Sequence, residues 1–268
     1  HRGKANVSGG GLPLIALPTT AGTGAEVTNN AVLLDDERQF KSSLRDDGWY
    51  ARVALVDPRL TLSAPPEVTA ASGSDALTQA IESYTSIGAS AVTDGLAFEA
   101  IRRIARSLER AVRGAQETNE DLDARADLLY GSTLAGAAMA NARLGGIHGI
   151  AHPLGALYHI PHGLVCGLLL PYVMAYNLEY AQEKYARLAP LVGVDAQGMD
   201  ERDAAQAAAE RIGELLTGIG IPRHLGPLGL KRSDYAAIVE GTLPSGSFKH
   251  NPRPLGAADV EVILDQAY

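Results

Sequence analysis

The spacing of apolar residues changes near Leu60, and that change confines the chain to a short α/β segment followed by a long helical one. Before it, residues 12–17 (LPLIAL) form an apolar run closed by Pro18, and residues 53–56 (VALV) form another closed by Asp57 and Pro58. Both predict short buried strands, because proline stops a strand cleanly. Between them, residues 27–34 and 39–44 flank the turn signal Asp35-Asp36 and predict the arms of a hairpin. Beyond Leu60 the spacing becomes helical over residues 66–86, 91–113, 119–143, 145–158, 164–192, 200–218, 232–241 and 256–267. In the second of these, Leu96, Ile101, Ile104, Ala105, Leu108 and Val112 recur at threes and fours, with Arg102, Arg103, Arg106, Glu109 and Arg110 mainly opposite. Residues 131–142 (GSTLAGAAMANA) are mostly small, which suits a helix packed close to its neighbours. The expected organisation is an α/β part over residues 1–60 and an all-helical part over residues 61–268. Two or three short strands do not make a stable parallel sheet alone, so preceding sequence or another chain is expected to complete it.

Charge narrows the partners. Lys and Arg number 23 against 31 Asp and Glu, a net charge of -8, which disfavours nucleic acid and anionic membranes. With 5% aromatic residues, a base-stacking platform is not expected. No apolar run reaches about 20 residues, so no membrane-spanning helix is expected, and the opening HRGKANVSGG lacks the apolar core of a signal peptide. The single cysteine, Cys166, excludes an internal disulfide framework and a zinc site built from cysteines. A reducing cytoplasm is the simplest setting.

Chemistry concentrates in one place. Of seven histidines, four (His148, His152, His159 and His162) fall within fifteen positions, in GGIHGIAHPLGALYHIPHG. His148 and His152 are four apart and share a helix face. Pro153 fits that helix only near an end or at a kink, and His162, between Pro161 and Gly163, begins a new element. Two elements meeting at a corner can aim His148 and His162 at one point, and imidazole is the commonest neutral metal ligand. A carboxylate should join them, and Asp75 in SGSDALTQAIESY, one helical turn before Gln79, is the best candidate. The plainer readings are an acidic residue placed at a helix N-terminus for its dipole, and core histidines with satisfied hydrogen bonds.

A second feature is TTAGTGAE, residues 19–26, whose backbone amides and threonine hydroxyls suit phosphate oxygens, although G-T-G also makes an ordinary turn. The G-x-G-x-x-G fingerprint, the Walker A motif and the G-x-S-x-G elbow are all missing from the sequence, which weighs against P-loop phosphoryl transfer and acyl transfer.

Together LPLIALPTTAGTGAEVT, VALVDPRLT, SGSDALTQAIESY and GGIHGIAHPLGALYHIPHGLVCGLLLPYVMAYN resemble the iron-containing (group III) alcohol dehydrogenases, in that family's order and spacing, from about Gly11 to NPRP at residues 251–254. The resemblance implies a dehydroquinate synthase-like architecture, in which residues 1–60 are the C-terminal part of an NAD(P)-binding α/β domain and residues 61–268 an all-helical metal-binding domain. It implies Asp75, the position of Gln79, His148 and His162 as ligands of Fe2+ or Zn2+, and His152 beside the nicotinamide and the substrate. Thr19, Thr20, Thr23 and Thr28 would contact NAD or NADP, with Lys41 near its ribose. It also implies a homodimer. The sequence departs from the family in two ways. The usual fourth ligand is histidine, whereas Gln79 offers only a neutral amide oxygen, and the glycine-rich pyrophosphate loop is absent, since Gly9–Gly11 lack a strand-to-helix setting.

The implied activity is reversible hydride transfer between a small alcohol, or its aldehyde or ketone, and NAD(P), with His152 orienting the cofactor or relaying a proton. Alternatives are a metal-free or degenerate family member, a dehydroquinate synthase-like lyase, a metal-binding or assembly protein without cofactor, and a two-histidine, one-carboxylate iron oxygenase. In SFKHNPRP, Lys249, His250 and Arg253 would suit an acidic substrate, but a solvated loop is the preferred reading.

Overall fold

The structure is a computed structural model that describes residues 12–35, 40–117 and 121–268. Its first part holds β1 (Ile15–Ala16), β2 (Asn30–Asp35), β3 (Phe40–Arg45) and β4 (Val53–Ala54). β1 pairs parallel with β4, Ile15 opposite Val53, while β2 and β3 form the antiparallel hairpin, Asn30 opposite Arg45. The helical part comprises α1 (Pro66–Thr85), α2 (Ala91–Gln116), α3 (Leu122–Ala142), α4 (Gly146–Tyr158), α5 (His162–Ala186), α6 (Glu201–Gly218), α7 (Tyr235–Thr242) and α8 (Ala257–Ala267). An α/β segment followed by an all-helical one is therefore the observed fold class, and among the described residues no strand follows β4.

The helices start where the sequence supplies caps. Ser90 accepts from the Thr93 amide, Asp121 from Ala124 and Asp200 from Asp203, each satisfying an amide that the first turn leaves orphaned. α2 buries Ile101, Ile104 and Leu108 against α1 and α3. On its other side Arg103 and Arg106 pair with Asp127 of α3, and Arg102 with Glu99. Paired to two guanidinium groups, Glu99 keeps a carboxyl pKa near 2: the hydrogen bond from Arg102 outweighs the small effect of burial.

Two expectations need correction. The run at residues 164–192 is not one straight helix: α5 kinks at Ala181 (φ −131°) and ends at Ala186, and a separate 3-10 turn spans Ala189–Val192, where Pro190 has no amide to continue the helix. The strands at residues 12–17 and 53–56 are not buried either. Ile15 is 59% and Val53 47% exposed, because β1 and β4 pair over only two residues each and, among the described residues, nothing packs over both of their faces. By length and composition α5 could cross a membrane, but Val165, Leu168, Leu169, Leu170 and Val173 are buried against the protein, as in a core helix.

The strand-rich part is seated on the helices through its Gly-rich turn. Gly24 has a left-handed φ of 60°, and a Cβ there would meet Ser132 O at 2.6 Å and Gly136 Cα at 2.7 Å. Small residues on α3 admit the turn, and Ser132 Oγ donates to Gly22 O at 3.0 Å. Thr133 Oγ1 donates to the buried Glu26 carboxylate at 2.6 Å.

Candidate metal centre

Three helices converge on one buried cluster. α1 supplies Asp75, Gln79 and Glu82, at i, i+4 and i+7, one face of a helix. α4 supplies His148 and His152. Beyond α4 the chain reverses at His159, which adopts left-handed geometry (φ 54°), so that His162 can open α5. α5 then crosses α1 at close range because Gly163 has no side chain: a Cβ there would lie 2.1 Å from Ala71 O and 3.1 Å from Asp75 Cβ. This crossing brings together residues of α1, α4 and α5 that are far apart in sequence.

Asp75 Oδ1 lies 3.3 Å from His148 Nε2 and 3.8 Å from His162 Nε2, and the two imidazole centroids are 5.4 Å apart. The predicted meeting of Asp75, His148 and His162 is thus present. Asp75 Oδ1 is buried and accepts no hydrogen bond, an arrangement that costs free energy unless a further group occupies the site. Gln79 Nε2 donates to the other carboxylate oxygen, Asp75 Oδ2, at 2.9 Å, which leaves Gln79 Oε1 buried without a hydrogen bond. Gln79 therefore stands beside the cluster with its amide nitrogen holding Asp75. His152 stacks on His162, centroids 5.1 Å apart.

Two members were missed in the sequence. Glu82 Oε2 accepts from His148 Nδ1 at 2.6 Å, while its Oε1 accepts from the Ile147 amide at 2.6 Å. One carboxylate thus caps α4 and fixes the His148 tautomer, leaving Nε2 facing Asp75. The i, i+4, i+7 spacing from Asp75 was the available signal. Cys166, set aside above as unable to build a zinc site, lies one turn after His162, with Sγ 3.6 Å from His162 Nε2 and 3.9 Å from His148 Nε2. One donor atom each from Asp75, His148, His162 and Cys166 lies within 4.8 Å of the others.

Electrostatics mark the point as one that wants positive charge. Burial pushes the Asp75 pKa up, but the adjacent His148 imidazole and the His162 charge outweigh it and hold it at about 2. Burial opposes a charge on His148, yet Cys166, Glu82 and Asp75 together hold its pKa well above the ordinary value. Burial pushes the Cys166 thiol up to about 12. A buried aspartate, two imidazoles and a thiol are a donor set suited to a borderline divalent cation, and the orphaned Asp75 oxygen faces where it would sit.

The threonines of residues 19–28 stand apart from this cluster but near it in the fold. Thr19, Thr20 and Thr23 are exposed, and Thr28 is buried and donates to Ala25 O at 3.2 Å. Gly22 lies against Ser72, three residues before Asp75. Lys41 belongs to β3, but its side chain is outside the described residues, as are Gly9–Gly11. In SFKHNPRP, Arg253 donates to Tyr176 O and stacks 4.0 Å from that ring's centroid, and Asn251 Oδ1 accepts from the Gly146 amide. These contacts make the loop a structural clasp.

Comparison with known proteins agrees with the geometry. Residues 69–268 match the Fe-containing alcohol dehydrogenase family, C-terminal, and residues 2–58 match iron-containing alcohol dehydrogenase. A 1,3-propanediol dehydrogenase of Klebsiella pneumoniae is 42% identical over 96% of the chain and 65% of its own length. An NAD-dependent methanol dehydrogenase of Bacillus methanolicus is 34% identical over 96% of the chain and 66% of its own length. The crystal structure of a 1,3-propanediol oxidoreductase superposes with a TM-score of 0.91 at 42% identity, covering 96% of this chain and 66% of that one. The chain thus spans about two thirds of the length of these relatives.

Proposed function

We propose that this chain, which belongs to the iron-containing alcohol dehydrogenase family, carries the metal-holding helical part and the cofactor-facing turn of an enzyme for reversible hydride transfer between a small alcohol and NAD(P)+. The observation that carries the reading is the convergence of Asp75 Oδ1 with His148 Nε2 and His162 Nε2 at 3.3 and 3.8 Å, around a carboxylate oxygen that nothing else satisfies. The relatives' names, a propanediol and an NAD-dependent methanol dehydrogenase, support a small alcohol or aldehyde and NAD. They disfavour the lyase, oxygenase and assembly readings. The division into a cofactor part, residues 1–60, and a metal part, residues 61–268, belongs to the same proposal.

In this reading Asp75, His148 and His162 hold a divalent cation such as Fe2+ or Zn2+. When bound, such a cation supplies Lewis acidity, stabilising negative charge on a substrate oxygen. Glu82 accepts from His148 Nδ1, so that Nε2 is the nitrogen left to meet the cation. Gln79 orients Asp75 through Oδ2. His152, half-buried against His162, is placed to orient the cofactor or to pass the hydroxyl proton toward solvent, work suited to an imidazole. Thr19, Thr20, Thr23 and Thr28 would line the cofactor on the turn that abuts α1, with Lys41 toward its ribose. A homodimer and a cytoplasmic setting complete the proposal; the first fits the exposed apolar residues of β1 and β4, the second the free thiol of Cys166.

The test is direct. The intact protein, given NAD(P)H, Zn2+ or Fe2+ and a panel of small aldehydes, should oxidise the cofactor, and Asp75→Ala should lower kcat/KM at least about a hundredfold. No oxidation with either metal would overturn the assignment.

A further inference from the structure

The cluster holds a donor that neither the family resemblance nor the reading above uses. We propose that Cys166 is the fourth protein ligand of the metal site, taking the place that Gln79 cannot fill, and that the resulting Asp75–His148–His162–Cys166 set is built for Zn2+ in preference to Fe2+. This inference rests on the metal reading above and deepens it, a substrate oxygen then entering as a fifth donor.

Four observations carry it. The first is distance. A tetrahedral zinc ion with bonds of about 2.0 Å to nitrogen or oxygen and about 2.3 Å to sulfur needs donor separations of about 3.3 Å between N and O and about 3.5 Å between S and N. The structure has 3.3 and 3.8 Å from Asp75 Oδ1 to the imidazoles, and 3.6 and 3.9 Å from Cys166 Sγ to the same two nitrogens. These four separations lie within about half an ångström of the tetrahedral values, and all the donor atoms lie within 4.8 Å of one another. The second is register. His162 and Cys166 are four apart on α5, so one helical face delivers both, and Gly163 lets that face approach Asp75.

The third is that the site is prepared on the carboxylate side as well. Asp75 Oδ1 is buried and accepts no hydrogen bond, an independent sign that the cavity between these groups expects a positive occupant. The fourth is the orientation of Gln79. Its amide nitrogen is committed to Asp75 Oδ2 at 2.9 Å, so the side chain acts as a positioning residue for the aspartate.

Chemistry then decides the ion. A thiolate is a soft donor, and exchanging a neutral amide for it shifts preference toward zinc and away from oxygen-seeking ions. It also adds a negative charge to the shell. As the metal–sulfur bond forms, the thiol proton is released to solvent, so the shell gains one anionic donor for one proton lost.

Cys166 is the only cysteine in the sequence, which makes the test clean, because a thiolate signal from the monomer has one source. The intact protein, freed of metal and titrated with Co2+ alone under anaerobic conditions, should retain one equivalent on equilibrium dialysis. It should also develop a near-ultraviolet thiolate-to-cobalt charge-transfer band. Cys166→Ser should abolish the band and weaken Zn2+ binding by more than about tenfold while cobalt still binds. X-ray absorption of the unmodified zinc-loaded protein should show one sulfur at about 2.3 Å, a measurement that needs no variant to fold. Cobalt retained without the band, or a zinc shell of nitrogen and oxygen only, would overturn the thiolate ligand and leave the metal centre standing. No cobalt retained would overturn both.

Discussion

The crossing of α1, α4 and α5 and the paired strands β1 and β4 are each made of apolar sequence, yet one is closed and the other open. At the crossing, glycines permit contact and Ile147, Ile150, Leu154 and Leu169 are buried; even the polar Glu82 finds two partners. At the strands, Leu14, Ile15, Val53 and Leu55 remain exposed. Helical segments complete their backbone hydrogen bonds internally and need only one face covered, whereas a parallel pair needs neighbours along both edges and cover on both faces. The same hydrophobicity therefore stabilises the first region within this chain and leaves the second as surface that another layer would bury.

Substitutions can break this contrast. Gly163→Val should be the most damaging, because its Cβ would press on the Ala71 carbonyl, a backbone atom that cannot swing away. The expected outcome is a loss of more than about 4 kcal/mol or of cooperative unfolding altogether, read by calorimetry. A matched pair comes next. Ile104→Ala, fully buried between α2 and α3, should cost about 2–5 kcal/mol in denaturant titration. Ile15→Ala on β1, 59% exposed, should cost less than about 0.5 kcal/mol in the same assay; equal losses would show that something covers the strands in solution. Glu82→Gln keeps the side-chain shape but removes the charge facing His148. It should weaken Zn2+ binding about 10–100-fold, measured by competition with a chelator, with little change in helix content.

Much of the architecture could be read from the amino acids because it depends on local rules. The threes-and-fours spacing of Ile101, Ile104 and Leu108 locates α2 within a few residues. The pairing of His148 with His162 was legible because a proline-broken run between them demands a corner. What escaped depends on orientation across elements. Cys166 looked inert because a lone cysteine carries no pattern; only the approach of α5 to α1 turns it toward Asp75. Glu82 shared a face with Asp75, but nothing in the sequence says that α4 begins against it. The exposure of β1 and β4 is likewise a property of what surrounds them and not of their residues.

The contact between Gly24 and Gly136 has an effect on the chemistry that neither residue takes part in. α3 contributes no donor atom to the metal cluster, yet it sets how far the threonine turn stands from α1. It works as a spacer gauge: a methyl group on either glycine would lift the threonine turn off its seat, and in the proposed function a defect in hydride transfer would then originate in a helix that holds nothing reactive.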